Sequence, residues 1–201
     1  MVNLAVFCSG NGSNFQAILD AVRRNKLKAT VAVMICDNPK AYALRRARRH
    51  GVPIVLIGRD APWGVSTGDP RKAYEKILVR ILRNQRVDLV VLAGFMRILT
   101  PYFIRAWRGR ILNIHPSYLP AFKGAHAIRD AFEAGVKETG VTAHLVTEAV
   151  DAGPILMQEK VKVSQKDSLE SLEKKIHRIE HQIYPKAIGQ FIKNSLGGRN
   201  K

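Results

Sequence analysis

Acidic side chains are scarce in this sequence: 16 Asp and Glu stand against 33 Lys and Arg, for a formal charge of +17. A basic surface attracts polyanions whatever its fold, so nucleic-acid binding has to be weighed. The specialised features of such proteins are missing: there is no aromatic RNA-binding signature, no zinc finger, and no basic tail longer than Gly197-Gly-Arg-Asn-Lys201. The basic residues form scattered patches: Arg23, Arg24, Lys26 and Lys28; Arg45, Arg46, Arg48 and Arg49; Arg80, Arg83 and Arg86; Arg105, Arg108 and Arg110. Most fall on polar faces or C-terminal ends of expected helices, where cations are solvated and favoured. A phosphorylated or polycarboxylate substrate explains the charge as well as a nucleic acid does.

Cysteine is nearly absent. Cys8 and Cys36 both sit in apolar, strand-like runs, which excludes a disulfide framework and suggests buried free thiols in a reducing compartment. No run approaches the roughly 18 to 20 apolar residues of a membrane span, and Met1-Val-Asn-Leu-Ala-Val-Phe7 has no basic region ahead of it. The expectation is a soluble cytoplasmic protein with no membrane partner. Repeats, low-complexity segments and linkers are also lacking, so 201 residues, 46% of them apolar, suit one domain.

What is present alternates strand and helix. Val2 to Ser9, Thr30 to Cys36 and Pro53 to Leu56 read as strands, separated by helices over Asn14 to Asn25 and Ala41 to His50. After a Gly/Pro-rich loop, Asp69-Pro70 resembles a helix N-cap followed by Pro at the first helical position. That helix runs to about Asn84. Val87 to Ala93 is almost wholly apolar, as a strand buried on both faces should be, and Ile111 to His115 follows as the next strand. Thr139 to Val146 alternates like a half-buried strand, with Ile155 to Val163 as its neighbour across a turn at Asp151. A long helix from about Ser168 to Lys193 carries Leu169, Leu172, Ile176, Ile179 and Ile183 on one stripe, and Pro185 should kink or interrupt it. The fold expected is α/β: a single Rossmann-like domain, with a mainly parallel central sheet, an antiparallel portion in the second half, and helices on both faces.

The chemistry concentrates in Ile111-Leu-Asn113-Ile-His115-Pro116. Strand residues two apart point the same way, so the amide of Asn113 and the imidazole of His115 can converge on one substrate atom. An amide N–H stabilises an oxyanion, His moves a proton near neutral pH, and a carboxylate such as Asp151 would favour the charged ring and fix its tautomer. Together they suit acyl transfer without a metal or a covalent nucleophile. Alone, Asn113 or His115 would be an ordinary strand residue. Ser117 has no nucleophile elbow around it and reads as a turn residue.

Ser9-Gly10-Asn11-Gly12-Ser13-Asn14 joins the first strand to the first helix, where backbone N–H groups can face an anion. Phe15 replaces the third Gly of a dinucleotide fingerprint and no P-loop Lys follows, though Asp37 stands where a ribose-binding acid would. The loop by itself is equally a tight structural turn; its Ser and Asn side chains favour a phosphate monoester. His177-Arg-Ile-Glu180-His181 matches a zinc-peptidase pattern, but no acidic ligand follows it and Ile179 belongs to the apolar stripe. His115, His126, His144 and Asp151 lack the short ligand spacing of a zinc site.

Taken together, Ser9 to Asn14, Leu92-Ala-Gly-Phe-Met-Arg-Ile-Leu99, Leu112-Asn-Ile-His-Pro-Ser117 with Leu119-Pro120, and Asp151-Ala-Gly-Pro154 resemble the phosphoribosylglycinamide formyltransferase family, folate-dependent enzymes of purine (IMP) synthesis. The resemblance implies formyl transfer from 10-formyltetrahydrofolate to glycinamide ribonucleotide, with Asn113, His115 and Asp151 as catalytic trio and His144 behind them. It implies that Gly12, Ser13 and Asn14 hold the substrate phosphate and that Glu180 contacts the sugar or glycinamide part. Met96, Arg97, Ile98 and Leu99 would line the pterin pocket with Thr147, Glu148, Ala149, Val150 and Asp151 opposite, and Arg71 would lie on the folate side. No metal or obligatory nucleic acid is implied, and the chain would act as a monomer or homodimer. Residues 1–100 would form a phosphate-binding half, 101–195 a catalytic and folate-binding half, and 196–201 a basic tail. Tyr118 departs from the usual Leu, and the chain ends soon after the last helix. The alternatives are a relative with another acceptor (methionyl-tRNA, a sugar nucleotide amine or water) and a non-catalytic basic nucleic-acid-binding module; the tRNA enzyme carries a further domain that this length cannot hold.

Overall fold

The computed structural model describes residues 1–57 and 70–196. The glycine- and proline-rich loop, the proposed cap Asp69 and the tail from Gly197 lie outside the described residues. Seven strands form one sheet: β1 (Val2–Cys8), β2 (Ala29–Cys36), β3 (Ile54–Leu56), β4 (Leu89–Leu92), β5 (Ile111–His115), β6 (Glu138–Leu145) and β7 (Ile155–Lys162), in the order β3-β2-β1-β4-β5-β6-β7. The first five are parallel, and β6 and β7 are antiparallel to their neighbours. The helices are α1 (Ser13–Arg23), α2 (Ala43–Arg49), α3 (Pro70–Asn84), α4 (Pro101–Ala106), α5 (Ala127–Glu133) and α6 (Leu169–Phe191).

Strand periodicity explains the layers. In β1, Leu4, Val6 and Cys8 join the core beneath α1, α2 and α6, while Ala5 and Phe7 face α3 and α4. Leu89 and Val91 of β4 divide from Val90 and Leu92 in the same way, which is why both strands are apolar throughout. Each fully buried Leu or Val contributes about 1.5–3 kcal/mol of transfer free energy, so a charge at any of these positions would be severely destabilising. Cys8 and Cys36 are buried free thiols.

Two strand and helix expectations need correction. First, β6 is buried from Thr139 to His144 rather than half-buried. One face lies under α6 and the other under the Ser117–Pro120 turn, where Thr142 Oγ1 donates to the Ser117 carbonyl and accepts from Leu119 N–H. Gly140 makes room there: a Cβ would stand 2.9 Å from the Tyr118 ring and 2.5 Å from the Glu159 carbonyl. Second, of the kink or interruption expected at Pro185, the interruption does not occur, and α6 continues through it. The missing N–H and ring clash of proline are outweighed locally, because Ile183, Tyr184, Ala187 and Ile188 on both sides of it are buried against the sheet. Ser168 starts this helix by accepting from Ser171 N–H. The short helices α4 and α5 go beyond the expected elements, and no described helix is long and apolar enough to cross a membrane.

Candidate active site

Strand order reverses between β1 and β4, and in open α/β sheets the crevice at the carboxyl ends of such strands takes the ligand. Here the β1 exit carries the Ser9–Asn14 loop, the β4 exit carries Ala93–Leu99, and β5 ends on His115. Tyr184 ties the last helix to this edge, its hydroxyl 2.8 Å from the Leu92 carbonyl and 3.1 Å from that of Leu112. A cavity of about 340 Å³ opens beside them, lined by Met96, Arg97, Ile98, Leu99, Asn113, His115, His144 and Thr147 through Asp151. Met96 and Ile98 are 70% and 68% exposed; two large apolar side chains left open on one rim suit a flat aromatic ligand that covers them. Phe95, Ile104 and Val146 extend the apolar lining. Arg71 is exposed in the first turn of α3 and is not among the residues lining this cavity.

The candidate catalytic side chains meet through sheet register. Asn113 stands directly opposite His144 on β6, and its Nδ2 lies 3.3 Å from His144 Nε2. His144 Nδ1 lies 2.9 Å from the Leu145 carbonyl, which fixes the ring so that its Nε2 faces both the Asn113 amide and the Asp151 carboxylate. His115 is buried, with Nε2 2.8 Å from the Phe122 carbonyl and Nδ1 3.4 Å from Asp151 Oδ2. Both ring nitrogens therefore face oxygen. Asp151 Oδ1 lies 3.5 Å from His144 Nε2, and Oδ2 also accepts from Gly124 N–H at 3.0 Å. Burial pushes this carboxyl upward, but the His144 and Gly124 hydrogen bonds and the adjacent imidazoles outweigh it, holding it below the ordinary 3.8.

The backbone enforces this geometry. Asp151 sits in the left-handed region at φ 47°, a conformation Asp tolerates better than most residues. Two residues on, a Cβ at Gly153 would lie 1.8 Å from the Leu145 carbonyl oxygen, so the Asp151 turn can cross the end of β6 only with glycine there.

On the other side of the crevice, Gly12 caps α1 at φ 73°, and a Cβ on it would meet Ala43 Cβ at 2.7 Å. The first N–H groups of α1 have no intrahelical partner. Asn14 Nδ2 donates to Glu180 Oε2 at 3.0 Å, and His177 Nδ1 donates to the same oxygen at 2.8 Å. Glu180 is buried, and Asn14 Oδ1 is buried without a partner. The histidines of the His177–His181 motif thus diverge in role: one is paired with Glu180, raising its pKa, while His181 Nε2 has no partner. Among the described residues no group of His, Cys, Asp or Glu is arranged to hold a metal ion. Asp37, weighed as a ribose-binding acid, accepts instead from Arg97 Nε at 2.9 Å, and the Arg97 guanidinium lies 5.2 Å from the Tyr74 ring centroid. Sequence reasoning missed the Phe122 carbonyl and Gly124 N–H. They are backbone groups, signalled only by the glycine after Lys123.

An amide, an imidazole and a carboxylate at the strand ends of an open α/β sheet, beside an apolar cavity, have the chemistry that acyl transfer without a covalent nucleophile requires. The chain belongs to the formyl transferase family, whose model matches residues 2–188. It is 39% identical over 192 residues to a phosphoribosylglycinamide formyltransferase of Bacillus subtilis strain 168, covering 96% of this chain and 95% of that one. With the protein of the same description from Escherichia coli K12 it shares 42% identity over 196 residues, 97% of this chain and 89% of the other. The crystal structure of phosphoribosylglycinamide formyltransferase from Bacillus halodurans superposes with a TM-score of 0.90 at 39% identity, covering 99% of this chain and 100% of that one. A formyl donor derived from folate is the co-substrate this family implies.

Proposed function

We infer that the chain transfers the formyl group of 10-formyltetrahydrofolate to the amine of phosphoribosylglycinamide, a step of purine synthesis. The observation that carries this reading is the contiguous set Asn113–His144–Asp151–His115, joined by a hydrogen bond and two histidine–carboxylate contacts, beside an apolar cavity. The amine attacks the formyl carbon, a C–N bond forms, and the carbonyl oxygen becomes an oxyanion. Asn113 N–H and a protonated His115 stabilise that charge, and Asp151 balances the imidazolium. The C–N10 bond then breaks, and the proton lost by the attacking nitrogen ends on N10 of the departing tetrahydrofolate. Met96, Arg97, Ile98, Leu99 and the Thr147–Asp151 turn hold the folate, and Arg71 supports it from the same side. Gly12, Ser13 and Asn14 hold the phosphate, and Glu180 the ribose or glycinamide. Residues 1–100 thus supply mainly the phosphate site and 101–195 the chemistry. No metal takes part in this scheme.

Purified protein with 10-formyltetrahydrofolate and a panel of acceptors tests the reading. Formyl transfer to phosphoribosylglycinamide is expected, with no more than background to water, methionyl-tRNA or amino sugar nucleotides. Equal turnover with water would make the chain a deformylase.

A further inference from the structure

Three hydrogen bonds converge on one guanidinium behind the Ser9–Asn14 loop. Arg46 of α2 donates from Nε to the Asn11 carbonyl at 3.0 Å, from Nη2 to Asn11 Oδ1 at 3.0 Å and from Nη1 to Gln16 Oε1 at 3.2 Å. The Tyr42 ring lies 4.9 Å from the guanidinium carbon. Gln16, one turn into α1, is itself held: its Nε2 donates to Asp20 Oδ1 at 3.1 Å and lies 3.1 Å from His50 Nε2. A planar fork therefore joins the loop to both flanking helices, a geometry that a Lys ammonium cannot reproduce.

The placement of this cation is also unusual for a purely structural residue. It lies at the N-terminal end of α1, where the helix dipole already presents positive charge and a cation is unfavourable. Together with Ser13 it borders a second cavity of about 600 Å³ whose wall includes Arg24, Lys26 and Lys186. Arg24 and Lys26 stand at the far end of α1, beside Asp20, so at the helix N-terminus Arg46 is the cation of that wall, and an anion seated there relieves its placement. The Asn11 carbonyl that Arg46 holds lies one residue before Gly12, whose fixed φ and tight contact with Ala43 set the direction of the following N–H groups.

We propose that Arg46 is a positioning residue for the acceptor phosphate: by holding Asn11 it keeps the N–H groups after Gly12 aimed at a phosphate monoester, and its charge adds to their attraction. This rests on the phosphate role of the loop given above.

The test is calorimetric binding of inorganic phosphate, with steady-state formyl transfer, to the wild type and to Arg46→Ala, Arg46→Lys and Arg45→Ala. Arg45 is an exposed neighbour on α2 that makes no hydrogen bond to the loop, so its loss removes the same charge without the fork. Arg46→Ala should weaken phosphate binding about tenfold, the scale of one charge-assisted hydrogen bond, and raise the ribonucleotide KM similarly. Its kcat and folate KM should stay within about twofold. Arg46→Lys should recover only part of the loss and Arg45→Ala should match the wild type. Unchanged phosphate affinity in Arg46→Ala, full recovery by Lys, an equal effect in Arg45→Ala, or a fall in kcat with KM unchanged would each overturn the proposal. A wild type that binds phosphate but transfers no formyl group would sink the function reading and leave the binding comparison to decide the role of Arg46.

Discussion

Replacing Asp151 with Asn removes one charge and little else. The side chain keeps its shape, and Asn adopts the left-handed backbone of this position at least as readily as Asp. At an effective dielectric of about 20, unit charges separated by the 3.4 Å between Asp151 Oδ2 and His115 Nδ1 interact by about 5 kcal/mol. If half survives relaxation and solvent screening, about 2.5 kcal/mol of charge stabilisation in the transition state is lost, or about 10²-fold in kcat. Stopped or continuous assay of formyl transfer measures this, alongside calorimetric binding of the ribonucleotide, which should change little. The acid limb of stability gives a second readout. The folded carboxyl lies below the ordinary 3.8, so its ionised form stabilises the protein above that pH, and the contribution fades as pH falls through the lower folded value. The gap in unfolding free energy between wild type and Asp151→Asn should therefore narrow in strong acid. A variant that keeps kcat within about threefold of wild type would refute the electrostatic role of this residue.

Asn113→Ala should lower kcat by about 10²- to 10³-fold, the usual loss for an oxyanion donor, with the ribonucleotide KM moving far less; single-turnover kinetics would separate the two. Gly153→Ala drives a Cβ into the Leu145 carbonyl and should destabilise by about 3 kcal/mol or more, read from denaturant midpoints, with activity falling too because the Asp151 turn must shift. Tyr184→Phe deletes a hydroxyl that serves two buried carbonyls, for an expected loss of about 1–3 kcal/mol by chemical denaturation.

Much of the architecture was legible because periodicity reports burial directly. The unbroken apolar run around β4 announced a strand covered on both faces, and the spacing of Leu172, Ile176 and Ile183 announced the buried stripe of α6. Alternation misled at β6, because a turn centred on Ser117 to Pro120 covers the face that would otherwise meet solvent. Proline misled at position 185, because its local penalty is weaker than the packing on either side. At the site, Asn113 and His115 stood out through strand geometry. His144 could be set opposite Asn113 only once the β5–β6 register was known. The Phe122 carbonyl and Gly124 N–H carry no side-chain signal, and the grip of Arg46 on Asn11 joins positions that no local pattern connects.

The hydrogen bond between Asn14 and Glu180 spans 166 positions of the chain. On the roles proposed above, a nascent polypeptide that has just released β7 carries Asn113, His115 and Asp151 but still lacks Glu180, so the wall that would face the acceptor arrives only with α6.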